Sequence, residues 1–154
     1  MPDQDSQAND VPAMDQLTSH VYTFRNAIEA VSKSFISESL KGFPEGACGD
    51  TTLLLGTYLQ ETGYGTFDYM LGRRFNGDQW HTHAWLGGHG LIIDITADQF
   101  EEMVDTVVVT SQSDWHETFE AEIRHPADYR IMDARTVKKL QADYQRIVSL
   151  VGSK

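Results

Sequence analysis

The sequence predicts a single domain of the α+β class, in which helices precede and follow a block of antiparallel strands. Apolar residues recur at steps of three and four near both ends of the chain, which is the spacing of one helix face. Between them, short segments alternate in polarity and are separated by glycine-rich turns, which is typical of antiparallel strands. A length of 154 residues is that of one domain. Helices grouped apart from strands are typical of α+β folds.

The first predicted element is a long amphipathic helix that follows a tail. Residues 1–13 are polar or small and lack a hydrophobic period, so we expect a disordered tail there and one domain over residues 14–154. Helical spacing then runs from Asp15 to Leu40 until Gly42 and Pro44 interrupt it. The apolar face of this helix comprises Leu17, Val21, Phe24, Ile28, Val31, Phe35 and Leu40. A second, mostly buried helix is predicted from Gly49 to Glu61.

A three-stranded antiparallel meander is predicted next. Residues 67–71 alternate in polarity, and Asn76-Gly77 supplies the residues that a tight hairpin turn prefers. Residues 79–86 form the second strand. The glycine-rich turn at residues 87–90 leads to the third strand, residues 91–95.

The remainder of the chain closes the domain with a helix. Residues 104–110 predict a further strand, whereas residues 115–129 have no clean period and are interpreted as irregular structure. Asp133 is a suitable N-cap for a last helix. Its apolar residues are Val137, Leu140, Tyr144, Ile147, Val148 and Val151.

The charge of the chain excludes several classes of partner. With 12 basic and 23 acidic residues the net charge is −11, so we expect neither nucleic acid nor an anionic membrane surface as a partner. A basic partner protein would suit this charge. Apolar runs are too short to span a bilayer, and the N-terminus lacks the features of a signal peptide, so we expect a cytoplasmic protein.

Cys48 is the only cysteine and lies at the start of the second predicted helix. Free N–H groups and the helix dipole favour a thiolate at this position, and the same groups could hold an oxyanion. The small neighbours in Gly46-Ala47-Cys48-Gly49 leave room for a substrate. The alternative is a buried structural cysteine.

Two histidines and a carboxylate on neighbouring strands are candidate partners for this cysteine. The period of a strand places His81, His83 and Trp85 on one face. Asp94 lies in an apolar run, where a lone carboxylate needs a partner. A turn centred on Gly88-His89 would set residue 83 opposite residue 94. The three side chains Cys48, His83 and Asp94 would then form a nucleophile, its base and the group that orients the base.

The stretch from Phe43 to Phe100 resembles the transglutaminase-like branch of the papain-like cysteine-enzyme superfamily. The resemblance is carried by Gly46-Ala47-Cys48-Gly49-Asp50, by His83-Ala84-Trp85 and by Asp94-Ile95-Thr96, in the order of that family. The segment Asp94 to Phe100 is similar to small bacterial members, including leader-peptide proteases of lasso-peptide biosynthesis. The resemblance implies a nucleophile helix packed on an antiparallel sheet, with flanking N- and C-terminal helices.

The resemblance also implies roles for single residues. Cys48 would be the nucleophile, His83 the general base and acid, and Asp94 the orienting carboxylate. Trp85, Gln99 and His81 would contact the substrate. The backbone N–H of Cys48 would be one oxyanion donor; the second is left open, because papain-type members have a glutamine where this chain has Gly42.

We therefore expect a cysteine-dependent acyl transfer on a peptide or protein substrate, with neither metal nor cofactor. Hydrolysis of an amide is favoured over cross-linking by the resemblance to small bacterial members. One alternative is a module with the same scaffold that binds a peptide without turnover. A metal-dependent hydrolase that uses His81, His83, His89 and Asp94 is a third possibility.

Overall fold

The computed structural model describes the backbone of residues 2–34 and 38–151, and the side chains of residues 14–32, 34 and 40–151. The helices are α1 (Pro2–Val31), α2 (Glu38–Lys41), α3 (Cys48–Glu61), α4 (Asp114–Glu117) and α5 (Ala134–Val151). Short 3-10 turns occupy Ser32–Ser34, Ala97–Gln99 and Tyr129–Ile131. The strands are β1 (Asp68–Phe75), β2 (Trp80–Gly88), β3 (Leu91–Asp94), β4 (Val108–Thr110) and β5 (Glu120–Pro126). This order of elements confirms the α+β class.

The five strands form one antiparallel sheet in the order β4-β3-β2-β1-β5. The predicted meander is its centre, since β2 pairs with β1 on one side and with β3 on the other. A two-residue turn joins β2 to β3, and both of its central residues, His89 and Gly90, have positive φ angles of 53° and 73°. Such turns match the twist of paired strands, so this one sets the register between β2 and β3.

The main core lies between one face of the sheet and the helices. Leu86 and Ile93 point from β2 and β3 into this core, where α3 buries every residue from Thr51 to Leu59. Helix α1 contributes Phe24 and Ile28, and α5 contributes Leu140 and Ile147. The predicted helix over residues 49–61 is therefore confirmed, and its N-terminal residue Cys48 is carried to the edge of the core.

The first predicted helix both begins and ends earlier in the chain than its apolar period. Helix α1 ends at Val31, and Leu40 belongs to the separate helix α2; Phe35 lies outside the described residues. The side chain of Ser34 hydrogen-bonds the carbonyl of Val31 at 2.9 Å, a local bond that competes with helix continuation. Residues 2–13, where a disordered tail is predicted, have a helical backbone continuous with the rest of α1, and their side chains lie outside the described set.

The segment predicted to be irregular contains regular structure. Residues 115–129 include most of helix α4, strand β5 and the start of the last 3-10 turn. Strand β5 lies at the sheet edge and all but one of its residues are exposed, so it has no alternating apolar signature. The strand predicted over residues 104–110 is confined to β4, residues 108–110.

The C-terminal helix begins where the sequence predicts. The Asp133 carboxylate accepts a hydrogen bond from the backbone N–H of Thr136 at 3.0 Å, which confirms the N-cap. Among the residues that the structure describes, no helix is both long and apolar enough to cross a bilayer.

Candidate active site

Three elements bring Cys48, His83 and Asp94 together. Cys48 is the first residue of α3, His83 lies in the middle of β2, and Asp94 is the last residue of β3. The Nε2 atom of His83 is 2.7 Å from Oδ2 of Asp94, and both side chains are almost completely buried. The thiol of Cys48 is half-buried, and its interactions with the His83 side chain and with the backbone N–H of Ala84 lower its pKa, against the effect of burial. The thiol, the imidazole and the carboxylate are thus in one line of contacts.

The carboxylate of Asp94 is held on both oxygens. Oδ1 accepts the backbone N–H of Thr96 at 2.9 Å, with the Thr96 hydroxyl at 3.4 Å. Oδ2 accepts the Nε2–H groups of His83 and His116. Burial would raise the pKa of Asp94, but hydrogen bonds from His116 and His83, together with the charge of His83, hold it well below its usual range. Asp94 is therefore an anion in the folded protein. The hydrogen bonds from Thr96 explain why a threonine stands two residues after the aspartate in the Asp-x-Thr motif.

This anion fixes the tautomer of His83. An ionised carboxylate accepts hydrogen bonds and donates none, so Nε2 of His83 must carry a hydrogen. In the neutral imidazole, Nδ1 is then the basic nitrogen and can take a proton from the thiol. The side-chain amide of Gln99 lies 3.5 Å from this Nδ1 and donates a hydrogen bond to the Thr96 carbonyl at 3.0 Å.

The electrostatics of the site favour an ion pair between Cys48 and His83. Burial disfavours the thiolate, but the hydrogen bond and charge of His83 and the N–H of Ala84 lower the pKa of Cys48 below its ordinary value. Burial likewise disfavours the imidazolium, but hydrogen bonds to Asp94 and Cys48 and their charges raise the pKa of His83 to about 9. Between these two pKa values the thiolate and imidazolium forms coexist.

The predicted register between β2 and β3 is wrong by two residues, yet the predicted pair forms. Leu86 pairs with Ile93 and Gly88 with Leu91, so the turn is centred on His89-Gly90 rather than on Gly88-His89. His83 and Asp94 therefore approach diagonally instead of facing each other across the ladder. A shift of two residues keeps every side chain on its face, so the pair survives the error.

The backbone before Cys48 is built from small residues. Gly46 has a positive φ of 70°, a conformation that favours glycine, and Ala47 at the N-cap makes no side-chain cap bond. The first N–H groups of a helix have no partner within the helix, so they remain available to a ligand at this end. A Cβ atom on Gly49 would stand 3.0 Å from the hydroxyl of Tyr69, which shows how closely β1 approaches the helix tip.

An aromatic wall surrounds His83 on the side of the sheet opposite α3. It consists of Trp85, Phe100, Trp115 and Phe119, whose ring centroids lie 5.1 to 6.0 Å from that of the imidazole. The guanidinium of Arg74 lies 4.4 Å from the Phe119 ring centroid. Trp115 and Phe119 thus shield His83 and Asp94 from water.

The other predicted site residues separate into two groups. Gln99 and Trp85 contact His83, although Trp85 is only 4% exposed and packs against the imidazoles of His83 and His116. His81 instead bonds the side chain of Asn76 at 2.8 Å in the hairpin that joins β1 to β2. His89 bonds the Thr66 carbonyl in the turn after β2. The cluster of His81, His83, His89 and Asp94 considered as a metal site is therefore not assembled.

The sequence did not single out His116 as a partner of Asp94. This buried residue of α4 places its Nε2 atom 2.7 Å from Oδ2 of Asp94, and its Nδ1 atom 2.6 Å from the hydroxyl of Ser113. It was missed because the segment around it has no period that ties it to the sheet. Ser113, a residue type that caps helices, is the local signal that could have marked this turn.

His83, Asp94 and His116 also form a group whose donor atoms lie within 4.8 Å of one another, as metal ligands do. Their contacts are nevertheless those of hydrogen bonds. Each Nε2 atom is 2.7 Å from the shared carboxylate oxygen. Two ligands of a tetrahedral zinc ion would stand roughly 3.3 Å apart, given bonds of about 2.0 Å.

A cleft of about 440 Å³ opens on the face of the sheet that carries α3. Its lining includes Leu71 of β1. Leu71 pairs with Ala84 of β2, whose backbone N–H interacts with the thiol of Cys48. The remaining walls carry both signs of charge, from Arg73, Arg124, Glu120 and Glu122.

Comparisons with protein-family models, with curated proteins and with solved structures found no match for this chain. The functional interpretation therefore depends on the geometry of the site.

Proposed function

We propose that this protein is a cysteine-dependent acyl transferase or hydrolase that acts on peptide or side-chain amides, built on a transglutaminase-like, papain-like core. The observation that carries the proposal is the position of His83. Its Nε2 atom is bound to a buried carboxylate, and the same imidazole interacts with the thiol of Cys48. This is the arrangement that nucleophilic catalysis by a thiol requires.

The first half of the reaction forms a thioester. The Cys48 thiolate attacks the carbonyl carbon of the amide, and the new C–S bond pushes an electron pair onto the carbonyl oxygen. As the tetrahedral intermediate collapses, the C–N bond breaks and the imidazolium of His83 gives its Nδ1 proton to the leaving amine. Asp94 holds the ring in place and keeps the proton on Nε2 throughout.

The second half of the reaction restores the enzyme. Neutral His83 removes a proton from water, the resulting hydroxide attacks the thioester carbonyl, and the C–S bond breaks to return the thiolate. The products are a carboxylic acid and the amine released earlier. An amine in place of water would give a new amide, so hydrolysis and transfer share the same residues.

The oxyanion of each intermediate needs hydrogen-bond donors. The backbone N–H of Cys48 is one, since it lies in the first turn of α3. The amide of Gln99, next to Nδ1 of His83, is a suitable second donor and takes the role that the sequence left open. The cleft lined by Leu71 and Thr82 borders the strand that carries His83 and is the proposed path of the substrate polypeptide.

The first test is the rate at which iodoacetamide alkylates Cys48 as a function of pH, followed by intact mass. We expect alkylation well below the pKa of about 8.5 of a free thiol, because His83 stabilises the thiolate. The variant His83→Ala should lose this reactivity at acidic pH by at least about tenfold. Since Cys48 is the only cysteine, the mass reports on one site.

His81→Ala is the matched control, because His81 is on the same strand but bonds Asn76 outside the site. It should keep the profile of the parent. A parent protein whose thiol titrates like a free cysteine, or one that stays inert until it is unfolded, would contradict the proposal without any variant.

A turnover measurement separates catalysis from binding. With p-nitrophenyl acetate the parent should form acetyl-Cys48 and then release it with repeated turnover, whereas Cys48→Ala should form no adduct. An acid-reactive thiol that is acylated once and never deacylated would favour the peptide-binding alternative over the enzyme.

A further inference from the structure

The carboxylate that orients His83 is shared between two imidazoles. Oδ2 of Asp94 lies 2.7 Å from Nε2 of His83 and 2.7 Å from Nε2 of His116. His116 is 3% exposed, and its ring centroid lies 4.8 Å from that of Trp85 and 4.8 Å from that of Trp115. The mechanism described above uses only one of these two histidines, so the second needs an explanation.

Asp94 determines which nitrogen of His116 carries hydrogen, and Ser113 binds the other nitrogen. Its hydroxyl oxygen accepts the backbone N–H of His116 at 3.2 Å and lies 2.6 Å from Nδ1. Because Asp94 is an acceptor, Nε2 of His116 must donate to it. In the neutral ring, Nδ1 is then an acceptor and takes the hydroxyl hydrogen of Ser113. The chain of contacts therefore runs from Ser113 through His116 and Asp94 to His83.

We infer that His116 is a positioning residue for the proposed reaction, which keeps Asp94 anionic and aims its Oδ2 atom at His83. The inference rests on the proposed function, since it concerns how the base of that reaction is held. Without the second N–H, Oδ2 would lie against apolar rings with one donor fewer. A buried carboxylate in that position takes up a proton more readily, and once protonated it no longer stabilises the imidazolium.

Loss of the His116 donor should affect only the acidic side of the pH profile of Cys48 alkylation. The groups in this line of contacts are Cys48 from α3, His83 from β2, Asp94 from β3 and His116 from α4. Tyr69 of β1 interacts with the thiol, and Asp50 and Arg124 interact with Tyr69. Loss of His116 should therefore move the onset of thiolate formation to higher pH. A residue that serves only to fill space would lower stability and leave this onset unchanged.

The test compares His116→Leu, which fills the space without a donor, with His116→Gln, whose amide can still donate to Asp94. We measure the alkylation of Cys48 by iodoacetamide across the acidic range, with the fold monitored by circular dichroism. His116→Leu should lower the rate near pH 6 by about tenfold, the equivalent of one buried hydrogen bond to a charged group. His116→Gln should stay within about threefold of the parent.

A folded His116→Leu protein with the profile of the parent would overturn the inference and leave the proposed function intact. If His116→Leu does not fold, His116→Met gives the same answer, because its flexible side chain fills the space without a strong donor. An unchanged profile for a folded His116→Met protein would then overturn the inference. A parent protein without an acid-reactive thiol would instead overturn the proposed function itself.

Discussion

Gly72 shows how one residue lets the aromatic wall close behind His83. It pairs with His83 across β1 and β2, and a Cβ atom built on it would stand 2.6 Å from the Trp85 ring and 2.8 Å from Cβ of Phe119. Real Cβ atoms do not approach ring atoms so closely, so the ring of Trp85 occupies the space that a side chain would need. The glycine is required by packing and not by its backbone conformation.

Gly72→Ala should therefore destabilise the protein by about 2 kcal/mol, because an added methyl group forces the wall apart. The free energy of unfolding from urea denaturation measures this cost. Gly42→Ala is the matched control, since its Cβ atom would be 3.4 Å from the Glu45 carbonyl oxygen and should change stability by less than about 0.5 kcal/mol. Equal urea midpoints for the two variants would show that the aromatic wall accommodates the added methyl group without loss of stability.

The contacts of Asp94 explain a motif at the same scale. The carboxylate needs Thr96 two residues later, because the Thr96 N–H and hydroxyl satisfy the oxygen that faces away from the histidines. A sequence shows the spacing of Asp-x-Thr, and the hydrogen bonds give the reason for it. His116, by contrast, is 22 residues from Asp94 in the chain, and no local pattern joins them.

At the scale of elements, α1 is tied to the loop that follows β3 through one buried arginine. Arg25 is 3% exposed and donates to the Ile95 carbonyl at 2.6 Å, to the Thr106 carbonyl at 3.2 Å and to the Asp98 carboxylate at 2.8 Å. The loop it holds begins directly after Asp94 and contains Gln99. Arg25 therefore fixes the segment that carries Gln99, the residue proposed as the second oxyanion donor.

Arg25→Met should destabilise the protein by about 3 kcal/mol, because it leaves a partly buried carboxylate and two carbonyls without their donor. Amide hydrogen exchange in residues 95–106 should quicken as well. The control is Arg124→Met, which removes an arginine whose bridge to Glu122 is exposed and should cost less than about 1 kcal/mol. If both substitutions cost the same, the buried network contributes nothing beyond a surface pair.

The errors of prediction at this scale have a common cause. The sequence predicted α3, the three central strands and the cap of α5, where local periodicity and turn residues agree with the packing. It did not predict β5 or α4, because an exposed edge strand and a helix of four residues leave no periodic signal. Of the residues that close the aromatic wall, Trp115 lies in α4 and Phe119 lies between α4 and β5.

At the scale of the whole molecule, a buried charge network in an acidic protein makes stability depend on pH. The pKa of Asp94 is lowered in the folded state, so its contribution is present above its unfolded pKa of about 3.9 and is lost as the pH falls below that value. Across the neutral range the pKa shifts of Cys48 and His83 have opposite signs. The folded chain holds its proton on the imidazole and the unfolded chain holds it on the thiol, so both states bind the same number of protons and the two effects on stability offset each other.

Asp94→Asn should reduce the acid dependence of stability. Below about pH 4 the slope of the unfolding free energy against pH should fall by up to about 1.4 kcal/mol per pH unit, the equivalent of one proton. Urea denaturation at a series of acidic pH values measures the slope, independently of the overall loss of stability. Asp78→Asn, in the exposed hairpin turn, is the control. A slope unchanged by Asp94→Asn would mean that Asp94 does not remain ionised.

The sequence by itself determined the fold class, the helix that begins at Cys48 and the strands that carry His83 and Asp94. It could do so because helical and strand periods, turn glycines and caps are local properties of the chain. Only the tertiary structure decided the register of β3, the hydrogen bond between His116 and Asp94, and the aromatic wall around His83. These depend on the turn geometry at His89-Gly90 and on contacts between residues far apart in the chain, which no local pattern encodes.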